Sequence, residues 1–267
     1  MTRRFVQATL AVALLLVACG PSAGEGGPST TAAPAATVAP AASSPTTTGS
    51  VPAATTTAAV PQSDAPPGTE APAAPPAPPA ALDRAGGAGQ AVVVAGGGYG
   101  STTGTLTTWQ RTPSGGWDQV HGPWPARLGR AGFAPPGEKR EGDGRTPSGT
   151  YRFEFLFGVK ADPGVALPYR RVTGPSIVWD DNPSSPTYNL WVDGGRGEPM
   201  YVTPAYDYGA VIAYNADRTP GLGSAIFLHV STGAPTAGCV SLPVGQLLQV
   251  LRWLDPARSP AIVMGVS

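Results

Sequence analysis

The sequence predicts a mainly β domain with one short helix near its C-terminus, preceded by a long segment that carries no core. Three observations predict it. Of the 20 aromatic residues, 19 fall in residues 82–267 and the other is Phe5, whereas residues 20–81 hold 14 of the 32 Pro and no aromatic. Within 82–267 the apolar residues come in short runs bounded by Gly, Pro, Asp and Asn, the pattern of strands between turns. Only Val244 to Leu254 carries a helical stripe, with Val244, Leu247, Leu248, Leu251 and Leu254 on one face and Pro243 and Pro256 at its ends.

In chain order, strands are expected at Gln90 to Ala95, Thr105 to Arg111 and Trp117 to Val120, the last two joined by a turn at Pro113-Ser114-Gly115-Gly116. Further strands are expected at Tyr151 to Phe157, Ser176 to Trp179, Asn189 to Val192 and Ala210 to Tyr214. The last three are Ala225 to Val230, Cys239 to Leu242 and, after the helix, Ala261 to Gly265. The 186 residues from 82 to 267 suffice for one good-sized core.

The N-terminal part reads as an address and a spacer. Arg3 and Arg4 precede an apolar run from Ala8 to Ala18, too short to span a bilayer and laid out as a secretory signal. Leu16-Val17-Ala18-Cys19-Gly20 resembles a bacterial lipobox, which implies cleavage after residue 18, lipidation of Cys19 and a membrane anchor through that lipid. Residues 19–81 then form a disordered Ala/Pro/Thr linker, with only Glu25, Asp64 and Glu70 charged. Its reach is about 45 Å as a coil and about 190 Å if polyproline-like, which suits a cell-wall substrate outside the membrane.

Seventeen Lys plus Arg balance 17 Asp plus Glu. Without a basic stripe there is no footprint for nucleic acid. The run Gly96-Gly97-Gly98 fails the dinucleotide-binding spacing, and no phosphate loop or Gly-x-Ser-x-Gly elbow is present. Two His and one remaining Cys make a zinc site improbable, so no metal and no cofactor is expected.

With Cys19 lipidated, Cys239 is a single thiol without a disulfide partner in an oxidising compartment. A buried thiol acting as a small hydrophobe competes with a reactive one. Context favours reactivity. Gly238 permits close approach of a substrate backbone, and strands ending at His229 and starting at Cys239 would put an imidazole beside the thiol, the arrangement of an activated nucleophile. His121 lies in a Gly-Pro-Trp-Pro loop and is read as structural or exposed.

The segment His229-Val230-Ser231-Thr232-Gly233-Ala234-Pro235-Thr236-Ala237-Gly238-Cys239-Val240 resembles the active-site signature of the L,D-transpeptidases, cysteine enzymes that form 3,3 cross-links in peptidoglycan. Gly142-Asp143-Gly144-Arg145-Thr146-Pro147-Ser148-Gly149-Thr150-Tyr151, Asp180-Asp181-Asn182-Pro183 through Tyr188-Asn189, and the terminal helix and strand through Trp253-Leu254-Asp255-Pro256 support it, over roughly residues 90–267. The resemblance implies a β-sandwich or barrel and peptidoglycan stem peptides as substrates. It further implies Cys239 as nucleophile, His229 as base oriented by the Val230 carbonyl, Thr236 lining the site and carbapenems as inhibitors. Gly238 and Cys239 N–H groups are the expected oxyanion donors.

Ala237 and Ser241 stand where the best-known signatures carry a second His and an Arg. The substrate carboxylate is therefore left to another Arg, with Arg145, Arg170, Arg171, Arg196 and Arg218 all unassigned. Gly142 to Thr150 is read as a turn shaping the cleft, and Asp180, Asp181 and Asn189 as loop-fixing groups. The alternatives are an L,D-carboxypeptidase, transfer onto a protein amine by the same Cys, or a non-catalytic wall-binding lipoprotein.

Overall fold

The computed structural model describes residues 79–267. The signal (1–18), Cys19 and the linker through residue 78 lie outside the described residues. A 3-10 turn at Ala80–Ala85 straddles the expected domain boundary and buries Leu82 and Ala85.

Fourteen strands and one α-helix follow among the described residues. They are β1 (Gln90–Gly96), β2 (Thr103–Arg111), β3 (Trp117–Arg127), β4 (Phe133–Ala134), β5 (Thr146–Pro147), β6 (Gly149–Gly158), β7 (Tyr169–Arg171) and β8 (Ile177–Asp180). After them come β9 (Leu190–Asp193), β10 (Glu198–Pro199), β11 (Gly209–Ile212), β12 (Phe227–Val230), β13 (Val240–Leu242), α1 (Val244–Trp253) and β14 (Ala261–Val266). Every expected strand is present, shifted by at most a few residues at its ends except β3, which runs seven residues beyond Val120.

The main sheet runs β11-β12-β13-β3-β2-β1-β14-β6-β7, and a further β11–β6 pairing closes it into a barrel-like sheet. The long β6 makes closure geometrically feasible: Gly149–Arg152 pairs with β14, and Phe153–Phe157 pairs with β11. A second sheet, β10-β8-β9, forms a separate small layer. The fold is thus the mainly β, barrel- or sandwich-like one expected, with a short C-terminal helix.

Strand alternation sorts the side chains onto two faces. Leu228 and Val230 of β12, with Val240 and Leu242 of β13, enter the large core together with Leu247, Leu251 and Leu254 at α1. Phe227 faces the other way. It joins Phe157, Trp179, Tyr206 and Cys239 in a second, aromatic cluster.

The expected loop after Val120 is instead strand. β3 continues through Gly122-Pro123-Trp124-Pro125 to Arg127, paired with β2. Proline is tolerated because this stretch is flanked on one side only, meeting β13 just at Ser241↔Arg127. Gly122 has φ +85, and a Cβ there would lie 2.5 Å from the Leu106 carbonyl oxygen. His121 is structural, as expected: its Nδ1 meets Thr108 Oγ1 at 2.8 Å and its ring packs edge-on to Trp253.

Candidate active site

β12 and β13 are parallel neighbours joined by Ser231–Cys239. Such a short return is open to them because strands of three or four residues span only about 10–13 Å. The loop is tied to the end of β3: Thr236 N–H donates to the Leu128 carbonyl and Arg130 N–H to the Thr236 carbonyl, both at 2.8 Å.

The register pairs Leu228 with Val240 and His229 with Ser241. Cys239 therefore lies beside Phe227 rather than directly beside His229. The adjacent strands expected to bring the two residues together are present, with the pair diagonal across them rather than in register. Parity still turns Cys239, His229 and Ser241 to one face, and all three line a single cleft of about 300 Å³.

Cys239 is buried and is the free cysteine of the described residues. Its Sγ accepts from the Phe227 N–H and donates to the Ala225 carbonyl, each at 3.4 Å. Burial pushes the thiol up to about 12, against the opposing Phe227 N–H. Ala225 has φ +54 and is held by Asn189, whose Oδ1 accepts the Ala225 N–H at 3.2 Å and the buried Trp179 Nε1–H at 2.8 Å. Asn189 Nδ2 donates to the Tyr214 and Asn215 carbonyls, so this side chain brackets three segments around the thiol.

His229 is 8% exposed, and its Nδ1 lies 2.9 Å from the Val230 carbonyl. A carbonyl only accepts, so Nδ1 carries the hydrogen and Nε2 is left as the acceptor. Burial holds the ring below the ordinary histidine range, outweighing the Val230 and Ala205 carbonyls that favour its charged form. The resting pair is consequently a neutral thiol and a neutral imidazole.

Thr236 lines the cleft, donating its hydroxyl to the Cys239 carbonyl at 2.7 Å and accepting the Gly238 N–H at 3.1 Å. The Gly238 N–H is thus engaged, and of the two expected oxyanion donors only the Cys239 N–H has no protein acceptor. Gly238 has φ +150, and a Cβ there would stand 2.9 Å from the Arg145 carbonyl oxygen. The close approach expected of a substrate backbone is made by the protein's own chain. Thr146, from the Gly-Asp-Gly-Arg-Thr-Pro segment, bridges the Gly129 N–H (2.9 Å) and the Cys239 carbonyl (3.3 Å), which gives that turn its cleft-shaping role.

None of the five candidate arginines lines the cleft; Arg130 and Lys139 do. Arg170 stacks on Phe155 at 3.8 Å, and Arg171 bonds the Val159 carbonyl. Lys139 is buried and ion-paired with Asp143 at 2.7 Å. Burial raises the Asp143 carboxyl, but Lys139 and the Arg140 and Arg145 N–H groups bring it below the usual range. Asp180 fixes its loop as expected, accepting from the Asn182 N–H and the Ser185 and Thr187 hydroxyls. Tyr206, Glu198, Ala225, Arg130 and Lys139 were not singled out from sequence. Only Lys139, one of two lysines in the chain, carries even a compositional signal.

A closed β domain whose cleft presents a thiol and a neutral imidazole has the equipment of cysteine-dependent acyl transfer. The sequence profile of the YkuD family, the L,D-transpeptidase catalytic domain, matches residues 103–263. The match covers more than half of the chain, and the chain belongs to that family. No curated protein and no solved structure matches it. No helix among the described residues is long and apolar enough to cross a membrane.

Proposed function

We propose that this chain is a peptidoglycan L,D-transpeptidase in which Cys239 is the nucleophile and His229 the base. The observation that carries this reading is the shared cleft: a buried thiol and an imidazole whose Nδ1 is engaged by the Val230 carbonyl line the same 300 Å³ space. Because both groups rest neutral, the proton leaves the thiol only as the substrate arrives. Sγ turns from the Ala225 carbonyl toward Nε2, which takes its proton while Sγ attacks the carbonyl carbon at the L-centre of the third stem residue.

The Cys239 N–H stabilises the oxyanion, a contribution of roughly 3 kcal/mol for one such donor. His229 then protonates the departing D-Ala amine, leaving a thioester on Cys239. A side-chain amine of a neighbouring stem attacks that thioester, and His229 returns a proton to sulfur. Arg130, in the cleft and without a carboxylate partner, is the cation for the D-Ala carboxylate.

Lipidation at Cys19 and cleavage after residue 18 would tether the enzyme to the outer face of the membrane, with residues 19–81 as the spacer and 82–267 as the catalytic unit. Cys19→Ser should move the protein from the detergent phase to the aqueous phase, and unchanged partition would end the anchoring proposal.

Incubating the chain with tetrapeptide muropeptides should give a cross-linked dimer by mass spectrometry, absent in Cys239→Ala. Tripeptide without dimer would instead establish the carboxypeptidase. A folded protein that forms no adduct on Cys239 with either muropeptides or a carbapenem would leave only a wall-binding role.

A further inference from the structure

We propose that the Glu198 wall of the cleft is the subsite for the acceptor and that it takes a primary ammonium group. The proposal rests on the acyl-transfer reading above and adds how the second substrate is recognised.

Glu198 lines the cleft, and its Oε1 accepts the Tyr206 hydroxyl at 2.8 Å. Its other oxygen has no partner. Tyr206 is buried, and its ring stands edge-on to His229 with centroids 5.4 Å apart. The tyrosine therefore holds a carboxylate one ring away from the base.

The charge around the cleft has the matching sign. Glu141 and Asp181 also line it, and neither they nor Glu198 forms an ion pair. Lys139 is paired with Asp143, so Arg130 is the one unpaired cation among the described lining residues. Three carboxylates against one free guanidinium, in a concave site with low-dielectric walls, concentrate cations.

Ser241 supplies an independent sign of a ligand. It is 1% exposed, lines the same cleft in register with His229, and its Oγ has no hydrogen-bond partner. Buried polar atoms in native proteins are almost always satisfied, and one left unpartnered in a cleft wall is a place for an entering group to complete. An Arg at this position would place a fixed cation beside His229 and oppose an ammonium. Serine leaves the wall neutral and able to accept.

An ammonium has three N–H donors and no acceptor. The wall offers acceptors to match: the free Glu198 oxygen, Ser241 Oγ and, with Nδ1–H committed to Val230, His229 Nε2. Water could take the same hydrogen bonds but gains nothing from the charge, so the subsite favours aminolysis over hydrolysis. The step balances with one proton lost from the ammonium to solvent. The amine nitrogen then bonds the thioester carbon, the C–S bond breaks, and the second nitrogen proton passes through Nε2 to Sγ.

The test uses the full chain acylated by a donor tetrapeptide and compares two nucleophiles at neutral pH: a primary alkylamine, which is protonated, and hydroxylamine, which is not. Glu198→Gln keeps an acceptor for Tyr206 while removing the charge. The acceptor KM for the alkylamine should rise about tenfold or more, while that for hydroxylamine stays within about twofold. Glu198→Asp should recover part of the loss. On the unmodified chain, added salt should raise the alkylamine KM and leave hydroxylamine unmoved. Equal effects on the two nucleophiles, or a salt-independent alkylamine KM, overturns the subsite. Failure of the wild-type chain to form any acyl adduct on Cys239 overturns the acyl-transfer reading and the subsite with it, whereas an adduct with charge-blind aminolysis overturns the subsite alone.

Discussion

The neutral resting pair has a direct chemical consequence, slow alkylation of Cys239. Burial lifts the thiol from an ordinary 9.0 to about 12, with the Phe227 N–H opposing, Glu198 adding to the rise and Lys139 reducing it. A thiol at about 12 holds roughly a thousandfold less thiolate at neutral pH than one at 9.0, since each pH interval is tenfold. The thiolate that does form is the stronger nucleophile, and a Brønsted slope of about 0.4–0.5 returns a little over one decade. The net expectation is a rate about 30- to 60-fold below that of an ordinary free thiol, before any steric shielding.

Iodoacetamide labelling of the Cys239 peptide, followed by mass spectrometry across about pH 6 to pH 10, reads this directly. The logarithm of the rate should climb with pH and reach no plateau in that window. A plateau near neutrality, or a fast pH-independent rate on the acid side, would mean a thiolate–imidazolium pair and would refute the neutral ground state. Stability carries the same sign: the unfolded thiol ionises first, so stability present below pH 9.0 declines as pH rises from there toward about 12.

The remaining predictions concern the base and the frame. Burial of His229 puts its protonation below the ordinary range, so donor acylation should persist below about pH 6.5, where a free imidazole would be charged. Folding stability should fall as pH drops through that region, because the unfolded state takes up the proton first, and an acid limb at or above 6.5 would contradict both. Asn189→Ala leaves the buried Trp179 Nε1–H without its acceptor and puts alanine at φ +57. The loss should be about 2–4 kcal/mol by chemical denaturation, and less than about 1 kcal/mol would show that the bracket is dispensable. Gly238→Ala sets a Cβ 2.9 Å from the Arg145 carbonyl oxygen and 3.3 Å from Ile226, so about 2–4 kcal/mol of stability and roughly a hundredfold of acylation rate should go. An unchanged acylation rate in a stably folded variant would separate Gly238 from the positioning of Cys239.

Much of the fold was legible because the long strands obey simple patterns. Ala91 to Val94 is buried throughout, sandwiched between β2 and β14, and reads as one apolar run. The C-terminal half of β3 was not legible: two prolines and a glycine mark a loop unless one knows that it is almost unpaired on its β13 side. Two-residue strands such as β4, β5 and β10 have no period to detect. In the site, Cys239 and His229 stood out by residue type and context, and Thr236 only through the family resemblance. Ala225 did not, because an alanine attracts notice only once its positive φ is known. Glu198 and Tyr206 come from segments remote in sequence, and nothing local links either to position 229. That none of Arg145, Arg170, Arg171, Arg196 and Arg218 lines the cleft was hidden for the same reason: proximity to the cleft is a property of the closed sheet.

Register is what joins the fold to the chemistry. A one-residue slip of β13 against β12 would carry Cys239 and Ser241 into the barrel core and turn Val240 and Leu242 out into the cleft. Leu228, Val230, Val240 and Leu242 are each 5% exposed or less. At about 1.5–3 kcal/mol per buried aliphatic side chain, the two of β13 alone hold the register by about 3–6 kcal/mol. That exceeds the roughly 1–3 kcal/mol that an unpartnered Ser241 hydroxyl sets against it. The apolar half of the strand pair therefore dictates where the polar half stands, and it can keep a buried thiol, a neutral imidazole and an unsatisfied hydroxyl together on one wall although none of the three is stabilised by being there.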